Sequence, residues 1–140
     1  MRDAEFRAMN APIIEEFRAN AGRVGGPFAG APMVLLTTMG RRSGQPHTTP
    51  LMCLPDGDRL LVFASKGGAP AHPAWYLNLR AHPAVTVEYG TDTFPAIATP
   101  LEGAERDAKY AEQASRYPQF GQYQQRTERV IPVVALERIP

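Results

Sequence analysis

MVLLTTMGRRSGQPHTTPLMCLPDGDRLLVFA, residues 33–64, decides the fold. MVLLTTM (33–39) is a continuous apolar run of strand length, as expected of a strand buried on both faces. GRRSG (40–44) is a turn. HTTPLMCL (47–54) follows as a second strand, with Pro50 marking an edge or a bulge, because proline lacks the N–H that a central ladder needs. PDGD (55–58) is a hairpin turn, and RLLVFA (59–64) the third strand.

Outward from this core the same grammar continues. VTVEY (85–89) and residues 93–101 form a strand pair around Gly90 and Asp92, and residues 131–139 close the chain as a last strand. Helical stretches are short. Pro12 opens a helix with Ile13, Ile14, Phe17 and Ala21 on one face, ending near Gly22. Gly25, Gly26, Pro27 and Gly30 then make an irregular connection. AWYLNLRA (74–81) begins after Pro73 and stops before Pro83. Residues 102–116 form a charged helix, and SKGGAPAHP (65–73) is expected to have no regular structure. About six strands with no βαβ rhythm predict a mainly β (α+β) chain, a small antiparallel barrel with flanking helices whose closure protects the strand edges.

The 140 residues fit one domain (1–140), with residues 1–30 as an N-terminal helix and loop. A chain of this length buries roughly two-thirds of its unfolded surface, so neither disulfide nor metal is required to staple it. Apolar residues make up 44% and charged residues 21%, a globular balance, and the net charge of +1 excludes a surface built for nucleic acid. Any anion site is therefore local. Thirteen of the 15 basic residues are arginine. Lys109 lies in the charged helix, which leaves Lys66 in a setting of its own. The lone Cys53 excludes an internal disulfide and a multi-cysteine metal site, and suits a reducing, cytoplasmic compartment. MRDAEFRAMN at the N-terminus holds no apolar signal core.

Two basic motifs carry the chemistry. In GRRSG, glycine-permitted turning exposes backbone N–H groups, and Arg41 and Arg42 add planar donors suited to phosphate or carboxylate. Alone it reads more readily as a solvated hairpin tip. In SKGG, Gly67 and Gly68 let the backbone approach a ligand closely, Lys66 adds a charge and Ser65 a hydroxyl. One hairpin apart, the two motifs are expected to converge on one polyanion. Trp75 seals the core or walls the site; Asn78, a buried amide, bonds a cofactor ring edge or an adjacent loop backbone. His47, His72 and His82 lack metal spacing. Tyr117, Phe120 and Tyr123, spaced by three, are expected to line one helical face, and the glutamines around them point to a lid over a planar substrate rather than a buried stripe. No nucleophile elbow or isolated carboxylate pair supports a hydrolase.

LLTTMGRRSGQPHTTPL, FASKGGAPAHPAWYLNLRAHPAVTVE and RYPQFGQYQQRTERVIPVVALER together resemble the deazaflavin-dependent nitroreductase family, from about Met33 to the end of the chain. The resemblance implies an FMN-binding split-barrel-like fold, coenzyme F420 as cofactor and hydride transfer to a quinone, activated alkene (enone) or nitroaromatic acceptor. It implies cofactor contacts at Gly40, Arg41, Arg42, Ser65, Lys66, Gly67 and Gly68, with His47, Thr49 and Pro50 between the motifs and Trp75 and Asn78 beside them. The phosphate and glutamate carboxylates of the F420 tail suit a local basic cradle. Tyr117, Phe120 and Tyr123 match the substrate lid, and Ser65, Tyr117 and Tyr123 are the implied catalytic hydrogen-bond donors. Two positions depart from the family: His47 stands where arginine is usual, and Phe120 where members that activate nitro drugs have tyrosine, which favours quinones and enones over nitroimidazoles. Two rival readings are an FMN-dependent oxidoreductase on the same barrel and a non-catalytic F420 carrier. Peripheral membrane contact would use the apolar face of the N-terminal helix, for which packing on the barrel is the commoner use.

Overall fold

In the computed structural model, which describes residues 3–140, six strands close into one antiparallel barrel. They are β1 (Met33–Met39), β2 (Pro46–Asp56), β3 (Arg59–Phe63), β4 (Ala84–Tyr89), β5 (Asp92–Pro100) and β6 (Val133–Arg138), in the order β1-β2-β3-β6-β5-β4. Four helices flank them: α1 (Asp3–Ala19), α2 (Ala74–Ala81), α3 (Gly103–Arg116) and α4 (Gln119–Gln125). The mainly β barrel expected from the strand pattern is thus present. Residues 1 and 2 of the expected domain lie outside the described residues.

Side chains alternate across a strand, so each strand feeds two cores. Val34, Leu36, Cys53, Leu60, Val62, Val85, Val87, Ala96, Ala98, Val134 and Leu136 point into the barrel, where Trp75, Tyr76 and Leu79 of α2 plug it. On the outside, Leu61, Phe63, Val133 and Ala135 pack under Tyr110 of α3 and Phe120 of α4. Met33 and Leu35 on the outer face of β1 pack against Phe17, with Ile13 and Ile14 also on this cluster. The apolar face of α1 is therefore turned to the barrel.

Local departures from the sequence pattern have physical causes. Pro12 lies inside α1 rather than in its first turn, because the good helix formers of DAEFRAMNA extend the helix back to Asp3. Lys66–Gly68 forms one 3-10 turn within the segment expected to be irregular. α4 begins at Gln119 after Pro118, so Tyr117 caps α3 and does not share a helical face with Phe120 and Tyr123.

The feature that positions the site is a change of partner along β2. Residues 46–52 pair with β1, from Met39↔Pro46 to Met33↔Met52. Only residues 53–56 pair with β3, from Cys53↔Val62 to Asp56↔Arg59. Pro50, opposite Leu35, thus stands where β2 has no β3 partner, and the expected edge position is what the pairing shows.

Candidate functional site

The length of β2 that has no β3 partner forms one wall of a cavity of about 730 Å³. His47, Thr48, Thr49, Pro50, Leu51 and Met52 line it along that wall. Five steps of extended chain span about 17 Å. At the His47 end stand Gly40, Arg41, Arg42 and Ser43 of the β1–β2 turn; at the Met52 end stand Phe28, Phe63, Phe120 and Tyr123. Ser65, Lys66 and Gly67 follow β3 into the cavity, and Pro73, Ala74, Trp75 and Asn78 bring α2 to it. The two basic motifs therefore do reach one cavity.

Asn78 explains how the turn is fixed. It is 5% exposed, and its Oδ1 accepts from the Arg41 backbone N–H at 3.1 Å and from Arg41 Nη1 at 3.3 Å. Its Nδ2 donates to Thr38 Oγ1 at 3.2 Å. The adjacent loop backbone, one of the two partners expected for this amide, is bonded here, and Asn78 also reaches the cavity wall. A Cβ on Gly40 would crowd Ser43 Oγ and lie 2.9 Å from His47 Nε2, so these two side chains sit tightly against the turn. Ser43 Oγ is itself 3.4 Å from that nitrogen.

The 65–69 segment is held from behind by Arg129, in the loop between α4 and β6. Its Nε donates to the Ala69 carbonyl at 2.8 Å, its Nη2 to Ser65 O at 2.7 Å, and its Nη1 to Ala64 O at 3.0 Å. Nη1 also reaches His72 Nδ1 at 3.2 Å, which makes Nδ1 the acceptor and leaves the proton on Nε2. Burial, then the charges of Arg129 and Arg80, hold the His72 pKa below that of an ordinary histidine. Burial likewise lowers the Arg129 pKa.

Gly68 is buried and absent from the cavity wall. Its φ of +82° and the 2.7 Å from a built Cβ to Tyr123 O make it a packing glycine that lets α4 approach the loop. Tyr117 is likewise not on the wall; it packs against the α3–α4 cluster, as its place before Pro118 dictates. Phe120 reaches the cavity but is 5% exposed, stacked edge-on against Phe63 at 5.6 Å and Tyr123 at 5.4 Å. Of the expected lid, Tyr123 is the ring that joins solvent-side exposure to the cavity. Gln124 bonds Arg106, the Ile131 N–H and the Arg129 carbonyl, so this glutamine marks a pinned loop rather than an exposed lid. Cys53 is buried, its thiol pushed up to about 12 by burial, and it takes no part.

Sequence reasoning missed several wall residues. Phe28, Met52 and Phe63 read as ordinary core. Arg7 and Asn10, three apart on α1, also line the cavity, and only their helical spacing signals a shared face. Arg129 carried no local signal at all. Among the described residues, no group of three His, Cys, Asp or Glu side chains is placed to hold a metal. No helix among them is long and apolar enough to cross a membrane.

Residues 12–138 match the family described as F420H(2)-dependent quinone reductase. The chain is 42% identical over 131 residues to an F420H(2)-dependent quinone reductase of Mycobacterium tuberculosis (strain ATCC 25618 / H37Rv), covering 87% of this chain and 85% of that protein. Among solved structures it resembles an F420-H2 dependent reductase, FDR-A, at 41% identity and a TM-score of 0.69, over 76% of this chain and 94% of that one. It also resembles a chain described as a domain-swapped dimer, at 36% identity and a TM-score of 0.71, over 96% and 98% of the two chains. The deazaflavin resemblance read in the motifs is borne out, with coenzyme F420 as the cofactor: this chain belongs to the F420H(2)-dependent quinone reductase family.

Proposed function

We propose that the β2 cavity is the F420 site and that the enzyme passes hydride from the reduced cofactor to a quinone there. One observation carries this reading. A single cavity joins Arg41, Arg42 and Lys66 to a wall of Met52, Phe63, Trp75, Phe120 and Tyr123. That donor set fits the coenzyme, whose tail bears phosphate and carboxylates and whose ring system is flat and aromatic. When bound, the reduced deazaflavin supplies the hydride.

The chain's own residues bind, orient and exclude water. Arg41, Arg42 and Lys66 hold the anionic tail, with Gly40, His47, Thr49 and Pro50 shaping the floor beneath it and Gly67 giving close backbone approach. Trp75 flanks the ring, and Asn78 fixes the arginine turn. Gly68 serves by packing α4 against the loop. Tyr123 and Ser65 donate hydrogen bonds to the acceptor oxygen that gains negative charge, with water as the proton source. Tyr117, off the wall, has no part in this step. Activated alkenes and nitro compounds present a similar flat, electron-poor face, and Phe120 offers them no hydroxyl. We assign the work to one domain over residues 1–140, in the cytoplasm, with any membrane quinone met at the membrane surface.

Parallel titrations with F420 and FMN, followed by oxidation of reduced F420 by menadione with and without protein, test the reading. Tight F420 binding and protein-dependent turnover are expected. Preference for FMN would overturn the cofactor assignment, and binding without turnover would leave a carrier. Lys66→Ala and Arg41→Ala should each weaken F420 binding by about tenfold, near 1.4 kcal/mol, and wild-type affinity in both would refute the cradle.

A further inference from the structure

We propose that Arg129 is a positioning residue for cofactor binding: it holds the 64–69 backbone in the shape that presents Ser65, Lys66 and Gly67 to the cavity. The proposal rests on the cavity being the F420 site, and it concerns a residue that does not itself line that cavity.

Three consecutive residues of the segment are left-handed, with φ of +47° at Lys66, +63° at Gly67 and +82° at Gly68. Glycine tolerates that region; Lys66, with a Cβ, does not favour it and persists there only where its surroundings over-determine the shape. Arg129 supplies that constraint. Its planar fork bonds the Ala64 and Ser65 carbonyls before the turn and the Ala69 carbonyl after it, and closes on His72 Nδ1. One rigid group thus fixes both ends of the 64–69 bend. Arg126 adds a longer bond from Nη1 to the Gly67 carbonyl at 3.4 Å.

The arrangement also sets the electrostatics. A carbonyl oxygen turned toward an anion repels it, and three of them here are turned onto the guanidinium instead. Among the described residues Arg129 forms no ion pair with a carboxylate, so its charge is not neutralised locally and sits directly behind the segment. A lysine would keep the charge, yet its single ammonium does not span carbonyls on both sides of the bend in one plane.

The test compares parent, Arg129→Lys, Arg129→Gln, Arg129→Ala with and without ethylguanidinium and, as a control from the same loop, Val130→Ser, whose side chain is exposed. F420 affinity is read by fluorescence titration, backbone order by amide hydrogen exchange over residues 65–69, and turnover by menadione reduction with separate KM values for cofactor and acceptor. We expect Arg129→Lys to lose about tenfold in F420 affinity, equivalent to about 1.4 kcal/mol, and Arg129→Gln more. Faster exchange at residues 65–69 and an unchanged menadione KM should accompany the loss, while Val130→Ser matches the parent. Ethylguanidinium should restore part of the affinity of Arg129→Ala. Folded Lys and Gln variants that bind F420 like the parent would overturn the proposal, as would an equal loss in Val130→Ser. A parent that fails to bind F420 would overturn the site reading itself. Should Arg129→Gln unfold, Arg129→Lys decides the matter.

Discussion

Replacing Asn78 separates two roles that a buried amide beside a ligand cavity is able to play. Its Oδ1 takes both the backbone N–H and Nη1 of Arg41, and its Nδ2 meets the Thr38 hydroxyl, itself 1% exposed. Asn78→Leu keeps the volume and removes all three bonds. The stranded Thr38 hydroxyl costs about 1–3 kcal/mol, whereas the Arg41 groups, in an exposed turn, regain water at little cost. Burying the leucine's added apolar surface offsets roughly 1–2 kcal/mol of this. The net change in stability is therefore small, and at about 3–4 °C per kcal/mol for a domain of this size the melting temperature should move by only a few degrees.

Cofactor affinity should move much further. Once the tether is cut, the arginine turn must be ordered at the moment of binding, and fixing even one backbone residue costs about 1–2 kcal/mol. That predicts a roughly 5- to 30-fold rise in the F420 dissociation constant. Asn78→Asp provides the contrast. A carboxylate keeps the acceptor for Arg41, whose guanidinium balances the charge, and the Thr38 hydroxyl turns to donate. The turn stays ordered, so any loss of affinity should reflect only the Arg41 charge withdrawn from the anionic tail and should ease at high salt, unlike the loss in Asn78→Leu. Fluorescence titration of oxidised F420, with thermal denaturation in parallel, reads both quantities. Equal, salt-independent losses in Asp and Leu would mean that the amide nitrogen itself touches the cofactor, and parental affinity in Asn78→Leu would refute the tether.

Tyr123→Phe removes a donor beside the acceptor while keeping the ring against Phe120, so kcat for menadione should fall by about 10²-fold with F420 binding little changed; unchanged kcat would reassign the donor. Gly68→Ala forces a side chain into a left-handed residue, about 1–2 kcal/mol, and against Tyr123 O at 2.7 Å, about 1–3 kcal/mol more. A melting temperature lowered by about 10 °C is expected, and a drop under about 2 °C would show that the loop and α4 part easily. Because His72 has a lowered pKa in the folded state, the unfolded chain binds more protons just below the ordinary histidine pKa of about 6.5. Stability from this group is thus complete above that pH and declines as pH falls through the window toward the folded value. Denaturation of the parent and of His72→Gln across pH 7.5 to about 5 should show the slope reduced in the variant, and parallel curves would refute the linkage.

How much of this was legible in the sequence follows from the range of the forces involved. Strand identity rests on short apolar runs and turn residues a few positions apart, so 33–39 and the hairpin at 55–58 could be read directly, and Pro50 announced an edge or a bulge from its missing N–H. GRRSG and SKGG were legible because their glycines and cations are adjacent in sequence. Tyr117 misled because spacing by three implies one helical face only if one helix carries it, and Pro118 divides α3 from α4 there. The cavity's apolar end was hidden because Phe28, Met52 and Phe63 are chemically indistinguishable from core until the barrel brings them together. Arg129 acts on residues about 60 positions away, through backbone carbonyls that every residue possesses, so no side-chain pattern foretells it.

The partner change along β2 ties these observations to one cause. A strand of eleven residues that paired with β3 throughout would close the barrel wall where the cavity now lies. β3 instead ends at Phe63, opposite Val133 of β6, and the chain leaves the sheet into the left-handed 66–68 turn. That departure is what Arg129 secures, since its carbonyl partners begin at Ala64, the first residue past the strand. On the other side of the gap, Pro50 presents no N–H to recruit a replacement strand. Opening the wall and holding the loop that lines it are thus one structural act. It follows that straightening residues 64–69 into a longer β3 would fill the cavity with backbone, so the segment's strained shape is the condition for having a site at all.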